Sequence, residues 1–293
     1  MFRGSIVALV TPFKEDFSVD LDAYGRLIEF QIERGTHGIV PCGCTGEAAT
    51  LSHDEQKQII RFAVERIAGR VPVVAGTGSN NTKEAIELTR YAKEVGADAA
   101  LMITPYYNKP TKEGQIAHYR AVAEKVDLPI MLYNVPSRTG TNIEPQTVAE
   151  MSRIPNIVSI KEAAGSLDQV SSIRSLCNIN ILSGDDSLTL PMMAVGASGV
   201  VSVAANVVPD KVAALCDEWD AGNVAAAQAI HYELIPLIKA LFIQTNPLPV
   251  KAVLAHMGMI KNVLRLPLTP LPADKFASIK PVVDQLIRSA AAV

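Results

Sequence analysis

Eight short apolar runs, separated by longer amphipathic segments, constrain this chain more than any other feature of its sequence. The runs are SIVALV (from Ser5), GIVPCG (from Gly38), VPVVAG (from Val71), AALMIT (from Ala99), PIMLYN (from Pro129), IVSIKE (from Ile157), INILSG (from Ile179) and GVVSVA (from Gly199). They are nearly continuously apolar, as strands of a parallel sheet covered on both faces are. Between them, segments such as Leu21–Arg34, Asp54–Ala68, Lys83–Val95 and Gln115–Lys125 carry helical patterning. Ser52 ahead of Glu55 reads as a capping box, and Asn81–Thr82 ahead of Glu84 as a similar start. Strand–helix alternation of this kind demands right-handed crossovers and a parallel sheet. Eight such units close into a barrel or spread into a doubly wound sheet. The count of eight favours a (β/α)8 TIM barrel, an α/β fold. Gly76-Thr77-Gly78-Ser79-Asn80-Asn81 has only the first two glycines of a dinucleotide-binding fingerprint, which argues the same way.

Beyond Val207 the strand pattern stops. From about residue 209 the chain reads as helices broken by Pro247, Pro249, Pro267, Pro270 and Pro272. The expected organisation is a barrel over residues 1–224 with an appended C-terminal helical region, 225–293, packed on it. A length of 293 residues suits this, since such barrels take about 250. A hydrophobic share of 48% supplies the core. The net charge of −3 and isoelectric point near 6.0 offer no basic face, so no nucleic acid partner is expected. No apolar run approaches the ~20 residues that span a bilayer. The N-terminus leads straight into a strand-like run without a signal or transit pattern, and a cytoplasmic chain is expected. Cys42, Cys44, Cys177 and Cys216 show no framework spacing, which fits a reducing compartment. Cys42 and Cys44, two apart in an expected strand, are poorly placed for a disulfide and too few for a metal site.

Active sites of such barrels lie at the C-terminal ends of the strands. Read in order, those ends carry Thr11, Gly43–Glu47, Gly76–Gly78, Thr104–Tyr107, Tyr133–Arg138, Lys161-Glu162, Ser183–Asp186 and Ser202. None carries a histidine: His37, His53, His118, His231 and His256 fall in or beside helices and loops. With no HExxH and no His–carboxylate cluster, a catalytic zinc is not expected. Of fourteen lysines, Lys161 stands apart, because it follows the uncharged run Ile157–Ile160 at a strand end, whereas the others read as solvated residues of helices and loops. A lysine desolvated in the barrel mouth has a lowered pKa and supplies the free amine that attacks a carbonyl. Position alone leaves open an ion pair with Glu162 or a neighbouring strand end. Tyr133 ends the preceding strand, about 5 Å away in a sheet, within reach to shuttle protons to a carbinolamine; packing at the rim is the other reading. Arg138, in the loop that follows, is either a fork for a substrate carboxylate or a surface arginine. The Gly43–Glu47 turn offers backbone N–H groups and the Thr45 hydroxyl to a small carboxylate. Gly184-Asp185-Asp186 suggests Mg²⁺, but adjacent strand residues face opposite ways, and turn or capping roles fit better.

Taken together, TPYYNKP (Thr104–Pro110), YNVPSRTG (Tyr133–Gly140), IKEAAG (Ile160–Gly165) and LSGDD (Leu182–Asp186), with NPLPVK (Asn246–Lys251) and RLPLTP (Arg265–Pro270), resemble the dihydrodipicolinate synthase family of pyruvate-dependent class I aldolases. The resemblance covers essentially the whole chain. It implies that Lys161 condenses with pyruvate while Tyr133 relays protons. It implies further that Thr45, Val201 through its carbonyl, and Gly184 belong to the substrate-binding set, and that Arg138 takes the carboxylate of aspartate semialdehyde. Tyr107 would reach a neighbouring subunit's site in a homotetramer built as a dimer of dimers, with no metal or organic cofactor. Cys44 stands where the family usually has a threonine linking the two tyrosines, and a thiol is a weaker donor and acceptor. A regulatory L-lysine pocket would comprise Ala49, His53, Asn80, Glu84 and Tyr106, with Gln56 replacing a histidine. Competing readings are another pyruvate aldolase acting on a sugar-acid aldehyde, against which Arg138 argues, and a non-catalytic barrel, against which Lys161 with Tyr133 argues.

Overall fold

The computed structural model describes residues 2–291, with side chains described through residue 285. Eight parallel strands form one sheet: β1 (Gly4–Ala8), β2 (Gly38–Val40), β3 (Val74–Gly76), β4 (Ala99–Ile103), β5 (Ile130–Asn134), β6 (Ile157–Glu162), β7 (Asn180–Ser183) and β8 (Gly199–Ser202). Their hydrogen-bonded order is β2-β1-β8-β7-β6-β5-β4-β3. A parallel bridge between Ile39 and Val73 joins the two ends, with Gly76 N donating to Pro41 O at 2.9 Å. The sheet is therefore closed into a TIM barrel. Closure at this seam needs a glycine: a Cβ on Gly76 would lie 2.1 Å from the Cys42 carbonyl oxygen.

Strand side chains sort by parity, as a closed sheet with a filled interior requires. Ile6, Ala8, Val40, Val74, Ala99, Leu101, Met131, Tyr133, Leu182 and Val201 cluster inside the barrel. Val7, Ile39, Ala75, Ala100, Met102, Leu132, Ile160, Ile181 and Val200 face outward into the larger core beneath the helices. That outer layer consists of α1 (Leu21–Glu33), α2 (His53–Ile67), α3 (Thr82–Glu94), α4 (Lys112–Lys125), the single turn α5 (Pro136–Thr139), α6 (Pro145–Met151), α7 (Leu167–Leu176), α8 (Thr189–Ala194) and α9 (Pro209–Asp220). Three further helices, α10 (Val224–Leu241), α11 (Leu248–His256) and α12 (Ala273–Ala291), complete the C-terminal region. The expected capping box is present: Ser52 Oγ accepts from Glu55 N and the Glu55 carboxylate from Ser52 N. Asn81 caps α3 by accepting from Lys83 N.

Two local expectations need correction. The run GIVPCG is a strand only as far as Val40, because Pro41 offers no N–H to the ladder and Cys42 has φ +56°. Cys42 and Cys44 thus sit in a turn rather than a strand. In the C-terminal region Pro249 breaks nothing, since it lies in the first turn of α11, where a missing N–H costs no hydrogen bond.

Candidate active site

The candidate reactive pair is set by strand register. Tyr133 and Lys161 are Cα partners on β5 and β6, and the parity that turns one inward turns both. The Lys161 Nζ lies 4.3 Å from the centroid of the Tyr133 ring, and both residues are buried, at 5% and 6% exposure. Burial depresses the Lys161 pKa below its ordinary value, against the opposing pull of Cys44, Asp186 and Asp185. Burial likewise pushes the Tyr133 phenol well above the usual tyrosine range, with Cys44 adding to the shift and Arg138 acting in the opposite sense. The site therefore combines an amine biased towards its neutral, nucleophilic form with a phenol that keeps its proton until something takes it. Tyr133 is anchored from β4, since Thr104 N and Thr104 Oγ1 both donate to its carbonyl at 2.9 Å.

Glu162 is not the partner of Lys161. The next residue on a strand faces the other way, and Glu162 lies outside the barrel with Asn134 Nδ2, Gln169 Nε2 and Ala164 N donating to it. Asp186 likewise caps a backbone turn: it accepts from Ser202 Oγ, from Val203 N at 3.0 Å and from Ala204 N at 3.3 Å. Among the described residues no three His, Cys, Asp or Glu side chains are grouped to hold a metal. Gly184 gives the lysine stem its room. A Cβ there would stand 2.6 Å from Ala163 Cβ and 3.1 Å from Lys161 Cε. Val201, fully buried on β8, packs in the same inner cluster as Tyr133.

The turn after β2 supplies the next wall. Thr11 Oγ1 donates to Gly46 O at 2.7 Å, and Glu47 has φ +54°. The backbone is held there by an ion pair that sequence reasoning missed. Lys251, read as a solvated helix residue, has a side chain with 0% exposure; its Nζ donates to Glu47 Oε1 at 2.5 Å and to Thr11 O at 3.0 Å. Its Nζ also lies 4.3 Å from the Phe13 ring centroid. The available signal was its setting, a lone charge inside the apolar run Leu248–Ala255. Asn246 was also passed over as a site residue. Its Nδ2 donates to Thr45 Oγ1 at 2.9 Å, which leaves the Thr45 hydroxyl proton free for a bound carboxylate. Its carbonyl accepts from Arg138 Nη2 at 2.9 Å.

A cavity of about 410 Å³ opens over these residues. Its walls include Cys44, Tyr133, Arg138 and Asn246 at one end, and Ala49, His53, Gln56, Glu84 and Tyr106 at the other. Lys161, Thr45 and Val201 are buried and do not form part of its wall. Glu84 is already engaged by Ser79 Oγ at 2.8 Å and Asn81 Nδ2 at 3.1 Å, with His53 Nε2 3.8 Å away. Asn80 Nδ2 donates to Tyr106 O, and Gln56 Nε2 to Ala48 O. Burial raises the Tyr106 phenol pKa, with Glu84 and Cys44 adding to the shift. Tyr107, by contrast, is 90% exposed with φ +68°, projecting from the protein instead of into its own pocket.

This geometry has counterparts in known proteins. The chain is 55% identical over 273 residues to the 4-hydroxy-tetrahydrodipicolinate synthase of Nitratidesulfovibrio vulgaris (strain DP4), covering 92% of this chain and 93% of the relative. The crystal structure of dihydrodipicolinate synthase from Aquifex aeolicus superposes with a TM-score of 0.96 at 49% identity, covering 97% of this chain and 98% of that one. The enzyme from Cyanidioschyzon merolae with lysine bound superposes with a TM-score of 0.93 at 40% identity, covering 100% and 99%. The pattern of the Dihydrodipicolinate synthetase family matches residues 1–286. With fold, lysine–tyrosine register and near full-length similarity in agreement, the chain belongs to the dihydrodipicolinate synthetase family.

Proposed function

We propose that the chain condenses pyruvate with L-aspartate 4-semialdehyde to give 4-hydroxy-tetrahydrodipicolinate, the committing chemistry of lysine and diaminopimelate formation, through a Schiff base on Lys161. The observation that carries this is the buried Lys161 amine 4.3 Å from the Tyr133 ring. The neutral amine attacks the C2 carbonyl of pyruvate, and the carbinolamine loses water to form a protonated imine. Loss of a C3 proton gives an enamine, whose C3 attacks the aldehyde carbon of the second substrate. The amino group of that substrate then adds to C2 and displaces Lys161, closing the ring and freeing the enzyme. Tyr133 gives and takes the protons of these steps. The Thr45 hydroxyl, the Val201 carbonyl and the neighbourhood of Gly184 hold pyruvate, and Arg138 receives the semialdehyde carboxylate.

Cys44, which acts on the Tyr133 phenol, extends the proton path towards the Tyr107 of a neighbouring subunit. The exposure of Tyr107 supports a homotetramer in which that residue completes the adjacent site. The far end of the cavity, with Glu84 and His53 facing Tyr106, supports a regulatory site for L-lysine. No described helix is long and apolar enough to cross a membrane, and we place the enzyme in the cytoplasm. Borohydride reduction in the presence of pyruvate tests the core claim. A pyruvate-derived mass on Lys161 is expected, and an unmodified Lys161 peptide would overturn the mechanism.

A further inference from the structure

We propose that Glu162 and Asn134 form the positioning pair that keeps the Tyr133 ring on the Lys161 amine. The inference rests on the reading of Lys161 as the imine-forming lysine. It starts from the β5–β6 ladder, in which Tyr133 pairs with Lys161 and, one step later, Asn134 with Glu162. Parity sends the first pair into the barrel and the second pair out. The same two strand ends are therefore joined twice, once on each face. Inside, the Lys161 Nζ lies 4.3 Å from the Tyr133 ring centroid. Outside, Asn134 Nδ2 donates to both Glu162 oxygens at 3.1 Å.

The outer junction is a closed network. Gln169 Nε2, from the first turn of α7, donates to Glu162 Oε2 at 2.9 Å, and Ala164 N to Glu162 Oε1 at 2.8 Å. Asn134 Oδ1 accepts from Ile143 N at 3.0 Å, and Asn134 Nδ2 also reaches Asn142 Oδ1 at 2.7 Å. Asn142 Oδ1 in turn accepts from Gln169 Nε2 at 3.2 Å. Asn134 is 0% exposed and Glu162 1%, so the bonds between them are buried, while Asn142, Ala164 and Gln169 close the network from half-buried positions. A buried carboxylate surrounded only by N–H donors has one arrangement that satisfies it, and leaving any donor unmatched is costly.

The backbone ladder and the outer junction act together on this spacing. The β5–β6 ladder carries an irregularity between Ile130 and Met131, where the partner of the next residue shifts from Ile157 to Ser159. Beyond that break, four consecutive register pairs from Met131–Ser159 to Asn134–Glu162 align the two strands, and the side-chain junction closes that ladder at its top. Glu162 also accepts from the backbone that follows Lys161, and Asn134 from the segment just past the loop bearing Arg138. One network thus steadies the amine, the phenol and the segment presenting the carboxylate-binding arginine.

The test is the rate of imine formation, read by quenching pyruvate mixtures with borohydride at timed intervals and weighing the Lys161 peptide. In Glu162→Gln an amide N–H₂ replaces one acceptor and faces the Asn134 and Gln169 donors. Imine formation and kcat are expected to fall roughly tenfold to a hundredfold, the scale of a sub-ångström to ångström misplacement. The pyruvate KM should change by less than about threefold, because the groups that bind the ground state are untouched. Adding Asn134→Asp reverses donor and acceptor across the pair and is expected to restore most of the rate. Wild-type imine kinetics in folded Glu162→Gln would overturn the proposal, as would a reversed pair no faster than the single variant. Should Glu162→Gln fail to fold, Gln169→Met, which removes one donor and touches neither strand, is expected to slow imine formation by about threefold, and an unchanged rate there would equally overturn it. Absence of any adduct in the wild-type protein is the distinguishable failure, since it removes the Lys161 reading itself.

Discussion

The Lys251→Met substitution examines how the C-terminal helices hold the active-site turn. Lys251 Nζ and Glu47 Oε1 are 2.5 Å apart, with both side chains at 0% exposure. Burial depresses the Lys251 pKa, and the Glu47 carboxylate opposes that shift. Methionine matches lysine in length and fits the apolar surroundings, so packing changes little. The Glu47 carboxylate, however, loses its hydrogen-bonded counter-ion and keeps the Arg265 backbone N–H at 3.4 Å and the more distant pull of the Arg265 guanidinium. Removing one partner of such a buried pair costs about 3–5 kcal/mol, mostly through the stranded charge. Adding Glu47→Gln removes the charge as well and should recover about 1–3 kcal/mol of the loss. With a urea slope of roughly 3 kcal/mol per molar, the single variant's midpoint falls by about 1 M or more and the double variant's by visibly less. Equilibrium urea unfolding by circular dichroism at fixed protein concentration measures both. Lys261→Met, which breaks an exposed pair with Glu15, serves as the control and should leave the midpoint in place. A Lys251→Met midpoint equal to wild type, or a double variant as weak as the single, would refute the stranded-charge argument.

Other consequences follow from the same geometry. Gly184→Ala puts a methyl group 3.1 Å from Lys161 Cε and 2.6 Å from Ala163 Cβ; kcat should drop by roughly a hundredfold with the fold intact, as steady-state kinetics beside thermal melting will show. Tyr133→Phe keeps the ring but removes the proton carrier, and kcat should fall about 10²–10⁴-fold while circular dichroism stays unchanged. Arg138→Lys exchanges a fork for a point charge; the KM for the semialdehyde should rise about tenfold with that for pyruvate nearly constant, and parity between the two would remove the arginine's assignment. Glu55 is held near about 2 by its hydrogen bonds to Arg265, with burial opposing. That depressed folded value adds stability above the ordinary carboxylate range and loses it as pH falls from about 4.5 towards about 2. Arg265→Gln should flatten this acid loss in urea midpoints taken across the range.

The architecture was open to sequence reasoning because it depends on pattern. Eight apolar runs with helical spacing between them admit few closures, and each run contains its observed strand apart from the leading Gly4 of β1. The inward, buried position of Lys161 was legible for the same reason, as the first charge after the uncharged run Ile157–Ile160. Tyr133 followed from the width of a sheet. Legibility ended where chemistry depends on which residues converge from distant parts of the chain. Asn246 reaches Thr45 across 201 positions, and Lys251 reaches Glu47 across 204. No local periodicity encodes such a meeting. The lysine at least left a trace, because an ammonium flanked by Leu248, Pro249, Val250, Ala252, Val253 and Leu254 has no solvated face to use.

For Glu162, position alone left the pairing open. Adjacency in sequence suggested an ion pair with Lys161, whereas on a strand adjacency guarantees separation, because the pleat sends neighbours to opposite faces. The same rule explains why the amine is free to react. A carboxylate beside Lys161 on the inner face would stabilise the ammonium and raise the pKa that burial has lowered. Placing Glu162 on the outer face, satisfied by Asn134, Gln169 and Ala164, keeps its charge out of the mouth. The acids that do act on the amine, Asp185 and Asp186, are themselves shifted upward by burial. Asp186 is further occupied with Ser202 and two backbone N–H groups. The barrel thus separates the two demands on its strand ends by parity: inward positions carry an amine whose pKa burial lowers, with a phenol beside it, and outward positions carry the hydrogen bonds that join the same strand ends.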